Sequence, residues 1–156
     1  MGGFSRWRLY KLPTTGTKVL FSRTPTTSGC ANADHLFNPS IDTNSASTSA
    51  LAFVTATRTC PSQPAAGRAA QLIFRGPNSS DRGWAVTNVQ TSARQFATDT
   101  FGTPCNEIDR RFSCRWGDYS STQIDPSNTS RAWGFNQLIT GSLPSDWEAR
   151  GALVGP

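Results

Sequence analysis

The chain has 156 residues, which is enough for one hydrophobic core and too few for two. Its formal net charge of +5 comes from thirteen arginines and two lysines, and the arginines are spread along the chain instead of forming a basic tract. This dispersion predicts a solvated basic surface and argues against specific recognition of nucleic acid. No apolar run approaches the roughly 20 residues that a transmembrane helix needs, so no membrane span is predicted.

Alternating apolar and polar residues, separated by turns rich in glycine and proline, predict an all-β fold with nine strands. Helical patterns are nearly absent and no long linker divides the chain, so we expect a single all-β domain over residues 1–156. The predicted strands cover residues 7–11, 18–22, 37–43, 49–57, 69–75, 83–89, 119–124, 131–139 and 148–154. The apolar residues along them are predicted to form the core: Phe37, Ile41, Leu51, Phe53, Leu72, Phe74, Trp84, Trp133, Phe135 and Leu138.

One pattern of strand, polar turn and strand occurs twice. Ile41-Asp42 leads through a turn of serine, threonine and asparagine into a strand that contains Phe53, and Ile124-Asp125 leads through a similar turn to Trp133. Asp42 and Asp125 are predicted to cap the turns that follow them, because aspartate side chains accept hydrogen bonds from nearby backbone N–H groups. A recurring hairpin indicates a repeat architecture.

A likeness to a known family covers residues 114–154. The segment RWGDYSSTQIDPSNTSRAWGFNQLI begins at Arg115, and a short strand that begins at Trp147 follows it. Together they resemble the innermost hairpin and the next strand of a blade in BNR-like β-propellers, a family of secreted bacterial proteins related to sialidases. Residues 36–57 resemble the same hairpin more distantly.

This resemblance implies propeller blades. Residues 37–89 would supply four strands of one blade, residues 119–154 three strands of another, and the first 22 residues the outer two strands of a preceding one. A closed propeller typically has about four to eight blades, so two to three blades predict a partial, open or oligomer-completed propeller. A second copy of the chain, or upstream blades of a longer protein, would complete it. The alternative fold is a β-sandwich made of the same strands.

A candidate ligand-binding cluster lies just before the strand at 119–124. In a propeller the first strand of each blade lines the central channel, which would place Arg115, Trp116, Asp118 and Tyr119 at the mouth of that channel. Arginine matches a carboxylate, aspartate accepts hydrogen bonds from hydroxyl groups, and aromatic rings offer faces to sugars or cations. The alternative is structural, with Arg115 and Asp118 paired between blades and Trp116 in the core.

The predicted function is a secreted binding or scaffold module that recognises glycans or cell-surface material. A sialidase-like glycoside hydrolase, or a fragment of one, is one alternative, and a self-assembling structural protein is another. Enzyme activity is left open and no catalytic residue is assigned, because the chain has no Asp-box and His35, its only histidine, has no nucleophile motif beside it. Phosphate-binding loops, paired metal ligands and EF-hand patterns are absent from the sequence, so no cofactor and no metal are predicted.

The cysteines point to an oxidising compartment. Cys30, Cys60, Cys105 and Cys114 are even in number and form no CxxC pair, so two disulfides in an exported protein are predicted. The favoured pairs are Cys105 with Cys114 and Cys30 with Cys60, among three pairings that four cysteines allow. The first twelve residues contain no apolar leader core, so we expect that a leader was removed with upstream blades or that the gene begins inside the fold.

Overall fold

The computed structural model describes residues 6–16, 19–23, 35–44, 50–59, 69–77, 82–93, 119–140 and 146–155. In these ranges the regular structure is entirely β, which confirms the predicted all-β class. The strands are β1 (Leu9–Lys11), β2 (Phe21–Arg23), β3 (His35–Thr43), β4 (Leu51–Thr59), β5 (Ala70–Pro77), β6 (Ala85–Thr91), β7 (Ser121–Ile124), β8 (Ala132–Ile139) and β9 (Trp147–Val154).

The nine strands form a hairpin and two larger sheets. The hairpin pairs β1 with β2, the four-stranded sheet has the order β3-β4-β5-β6, and the three-stranded sheet has the order β7-β8-β9. Every pair is antiparallel. Because each strand neighbours the next strand in the chain, both sheets are simple meanders, as the short turns between the predicted strands require.

The four-stranded sheet has a different apolar layer on each face. One layer consists of Leu36, Val54, Ala56, Ala70, Leu72 and Phe74, and Trp7 and Trp84 pack against it. The ring of Trp7 meets Phe74 edge-on, with 5.1 Å between ring centroids. On the opposite face, Phe53 and Ile73 join Ala132 of the three-stranded sheet. The N-terminal segment and the three-stranded sheet therefore cover opposite faces of the central sheet.

Polar groups join the two larger sheets. Thr122 Oγ1 lies 2.8 Å from Thr55 Oγ1 and 2.9 Å from the carbonyl oxygen of Ser40, and it accepts the backbone N–H of Thr55 at 3.1 Å. Asn136 Nδ2 donates to Thr57 Oγ1 at 2.7 Å. A hydroxyl can donate one hydrogen bond and accept two, so Thr122 meets its full capacity inside the interface.

A bulge in β3 shapes this junction. The pairing of β3 with β4 shifts between Phe37 and Ser40, where Asn38 adopts a left-handed φ of 52° and Pro39 supplies no N–H. At the bulge, the carbonyl of Asn38 accepts the hydroxyl of Ser120 at 2.8 Å. The irregular sequence Asn-Pro therefore provides an attachment point for the chain that leads into β7.

Three residues predicted in the core are exposed. Ile41, Trp133 and Phe135 have 47%, 41% and 42% of their surface accessible. On β8 the covered face instead carries Ala132 and Gly134, because the two sheets lie too close together for larger side chains there. The aromatic residues therefore point to the opposite side of the sheet. His35, predicted to precede a strand, is the first residue of β3.

Candidate functional site

Of the four residues in the predicted ligand-binding cluster, the structure describes Tyr119. Tyr119 lies just before β7, and 88% of its surface is accessible. The next residue, Ser120, is fixed to the β3 bulge by its hydrogen bond to Asn38. Arg115, Trp116 and Asp118 lie outside the described residues, as do Cys30, Cys60, Cys105 and Cys114 with their predicted pairing.

The backbone on both sides of this position is anchored. Ser120 donates to the carbonyl of Asn38, and the backbone N–H of Thr122 donates to Ser40 Oγ at 2.9 Å. Two residues further along β7, the N–H of Ile124 donates to Asp42 Oδ2 at 2.8 Å. These three bonds fix β7 against β3, so the tyrosine ring projects from a rigid support.

The two repeated aspartates have different roles. Asp125 caps its turn as predicted, because its Oδ1 accepts the N–H of Ser127 at 2.9 Å and the hydroxyl of the same serine at 2.6 Å. Asp42 joins the sheets: its Oδ2 accepts the N–H of Ile124, and its Oδ1 accepts the adjacent N–H of Thr43. Residues 45–49 of the turn that it was predicted to cap lie outside the described residues. Both carboxylates are engaged with backbone groups in the fold.

The pKa of Asp125 is lowered from its ordinary value. The hydroxyl of Ser127 contributes most, its backbone N–H follows, burial opposes both, and the nearby charge of Arg131 lowers the pKa further. The Arg131 Nε lies 3.7 Å from Asp125 Oδ2. A carboxylate with a lowered folded pKa stabilises the fold above the unfolded pKa and loses that contribution as pH falls through the folded value.

Replacing Asp125 with asparagine should therefore reduce the acid sensitivity of the fold. Asparagine keeps an acceptor oxygen but does not titrate, so the thermal midpoint of Asp125→Asn should fall less than that of the parent protein as pH drops below about 4, the ordinary aspartate range. Thermal melts at several pH values between neutrality and strong acid measure this difference. Parallel pH profiles for the two proteins would show that the cap contributes nothing.

A second surface was not anticipated from the sequence. Trp133 and Phe135 stack on the outer side of β8, with ring centroids 6.2 Å apart and planes inclined by 21°. Leu153, which pairs with Trp133 on β9, is 37% exposed beside them. Gly151 leaves room for the ring of Phe135, which lies directly over it. We call these three side chains, Trp133, Phe135 and Leu153, the aromatic face.

A cleft lies between the N-terminal hairpin and the central sheet. Its volume is about 300 Å³, and Leu9, Tyr10, Lys11, Leu12, Ile41, Thr43 and Ala52 line it. Ile41 owes its exposure to this gap. In the described part of the chain, no three metal-binding side chains come together and no helix could span a membrane.

No protein-family model, curated protein or solved structure matches the chain. The likeness to sialidase-related propellers therefore stays a prediction. Its implications for fold detail, ligand and location belong to the proposals that follow.

Proposed function

We propose that the chain is a secreted glycan-binding module built from propeller blades. Support for blades comes from the alignment of the two larger sheets. The contacts of Asn38 with Ser120, of Ser40 with Thr122 and of Asp42 with Ile124 each join residues 82 positions apart. A constant offset means that β3 and β7, the first strands of their sheets, run parallel to each other.

Parallel first strands are what a propeller requires. Successive blades are related by rotation about a common axis, so that their equivalent strands run in the same direction around the channel. The second strands, β4 and β8, also contact each other through Thr57 and Asn136. The first and second strands of one meander thus meet the first and second strands of the other, and this agreement favours blades over the alternative sandwich.

The exposed ring of Tyr119 is the observation that carries the glycan assignment. Its position at the beginning of β7 places it at one end of the paired first strands, and 88% of its surface is accessible. A tyrosine offers an apolar face to a sugar ring and a hydroxyl to the sugar's polar groups. Arg115, Trp116 and Asp118 precede it by one to four positions and complete the proposed site with groups suited to carboxylates and hydroxyls.

Substitution of Tyr119 with alanine should weaken binding without loss of stability. Binding of soluble sialylated and neutral oligosaccharides, followed by calorimetric titration, should weaken by about tenfold or more, equivalent to ~1.4 kcal/mol. The unfolding free energy should change by no more than about 0.5 kcal/mol, as for other exposed positions. Val86→Ala, a change at an exposed position of β6, is the matched control and should bind like the parent protein.

Two outcomes would count against this function. The parent protein could bind none of the oligosaccharides, or Tyr119→Ala could bind them as well as the parent does. Arg115→Ala extends the same titration to the rest of the site. Loss of binding with an unchanged melt supports recognition by Arg115, whereas a loss of about 3 to 5 kcal/mol in stability is the mark of a broken buried pair with Asp118.

A further inference from the structure

The aromatic face lies on the outer side of the three-stranded sheet, and no strand of the described residues covers it. Trp133, Phe135 and Leu153 are adjacent and remain 41%, 42% and 37% exposed. Scattered exposed apolar residues are ordinary, but contiguous aromatic and aliphatic groups on one sheet face mark an interaction surface. We therefore expect another molecule to cover these three side chains.

The internal repeat indicates the kind of element that belongs there. Ile41 pairs with Val54 in the first hairpin, and Ile124 pairs with Ala132 in the second. Aligned on these pairs, Trp133 takes the place of Thr55 and Phe135 the place of Thr57. Both threonines are buried, with 0% and 1% exposure, and both hydrogen-bond to the next sheet. The aromatic face therefore continues an interface that the chain already uses once.

The N-terminal hairpin carries a second exposed apolar surface. The N-terminal segment covers the opposite side of the four-stranded sheet through Trp7. Four apolar side chains of its hairpin region are 42% to 60% exposed, and we call them the hairpin face: Tyr10, Leu12, Val19 and Leu20. Tyr10 and Leu12 also line the cleft beside the central sheet. The described residues thus carry exposed apolar surfaces on two separate elements, the hairpin and the three-stranded sheet.

We propose that the aromatic face of one copy binds the hairpin face of a second copy of this chain. The two surfaces differ, so the contact is heterologous and head-to-tail, and it generates a ring if the rotation closes and a filament if it does not. The contact would pack the β-hairpin of one copy against the three-stranded sheet of another, much as β elements pack face to face within one molecule. Each copy carries a formal charge of +5, so salt should strengthen the association by screening repulsion between copies. This inference uses residues other than Tyr119 and is independent of glycan binding.

Sedimentation velocity over a range of concentrations tests the contact. The parent protein should show mass that rises with concentration and with added salt. The aromatic-face variant Trp133→Ser/Phe135→Ser and the hairpin-face variant Tyr10→Ser/Leu20→Ser should each weaken self-association by about tenfold or more, as expected for buried aromatic anchors. Val86 is an exposed apolar residue that belongs to neither surface, so the control variant Val86→Ser should associate like the parent.

Mixing the two variants identifies the geometry. Each variant retains the surface that the other lacks. An equimolar mixture should therefore form dimers but no larger oligomers. Circular dichroism and thermal melts establish that both are folded, and Leu153→Lys is a single substitution on the same face that replaces the double variant if that one unfolds. A monomeric parent at every concentration overturns the proposal. So does a mixture that stays monomeric, or strong self-association by either variant alone.

Discussion

Replacing Gly134 with alanine should lower the free energy of unfolding by about 1 to 3 kcal/mol, the usual cost of overpacking a core. A Cβ atom at this position would collide with Thr55 Oγ1 and would lie only 2.7 Å from Ile73 Cδ1. Both neighbours are fully buried in the opposite sheet, so neither can move aside without separating the sheets. Urea denaturation followed by tryptophan fluorescence measures the loss.

Gly151→Ala is the matched control for this substitution. The added Cβ would collide with the ring of Phe135, and its distance to Cδ1 of that ring would be 2.7 Å. Phe135 is 42% exposed, so its ring can turn toward solvent, and the stability should change by no more than about 0.5 kcal/mol. Equal losses at Gly134 and Gly151 would show that the sheets do not pack as described.

Removing the hydroxyl of Thr122 should also be costly. Thr122→Val keeps the shape of the side chain but deprives the buried N–H of Thr55 of its acceptor and the Ser40 carbonyl of a donor. Leaving one buried polar group unsatisfied costs about 1 to 3 kcal/mol, and chemical denaturation should show a loss in that range. Thr122→Ser retains the hydroxyl and should lose clearly less. If valine were tolerated as well as serine, the hydroxyl would have no role at the interface.

The strand pattern of the fold was predictable because period-two alternation and turn residues are local signals. In the part of the chain that the structure describes, the prediction placed the nine strands, grouped them correctly as two, four and three, and identified Asp125 as a turn cap. Bounds differed by a few residues, most at the N-terminal hairpin, where β1 begins at Leu9 and β2 at Phe21. Short strands with few apolar residues carry the weakest signal.

Which side of β8 is buried could not be predicted from the same local signals. Alternation separates Trp133 and Phe135 from Ala132 and Gly134, but it does not say which set is covered. Hydrophobicity favoured the aromatic pair, whereas the close approach of the second sheet selects the small residues. The run of small residues on one side of β8 was the available signal. A sheet face that alternates small with aromatic residues can be buried on its small side.

The role of Asp42 shows a second limit. Asp42 and Asp125 follow isoleucine in the same local pattern, and both were expected to cap turns. Asp125 does so with groups two residues away, whereas Asp42 binds the N–H of Ile124. That partner is distant in sequence and depends on how the sheets are placed. Tyr119 stays a predicted ligand-binding residue, and the anchoring of its neighbour Ser120 at the Asn38 bulge depends on the tertiary fold.

The double-mutant cycle of Thr55→Val and Thr122→Val measures the packing of the two sheets most directly. The two hydroxyl oxygens lie 2.8 Å apart in a buried position, and the parallel alignment of the sheets, on which both proposals draw, places them together. Residues in direct contact give coupling energies of about 0.5 to 3 kcal/mol, whereas distant residues give additive effects. We expect coupling in that range from urea denaturation of the parent, the two single variants and the double variant. Additive losses, with no coupling beyond experimental error, would contradict the packing of the two sheets.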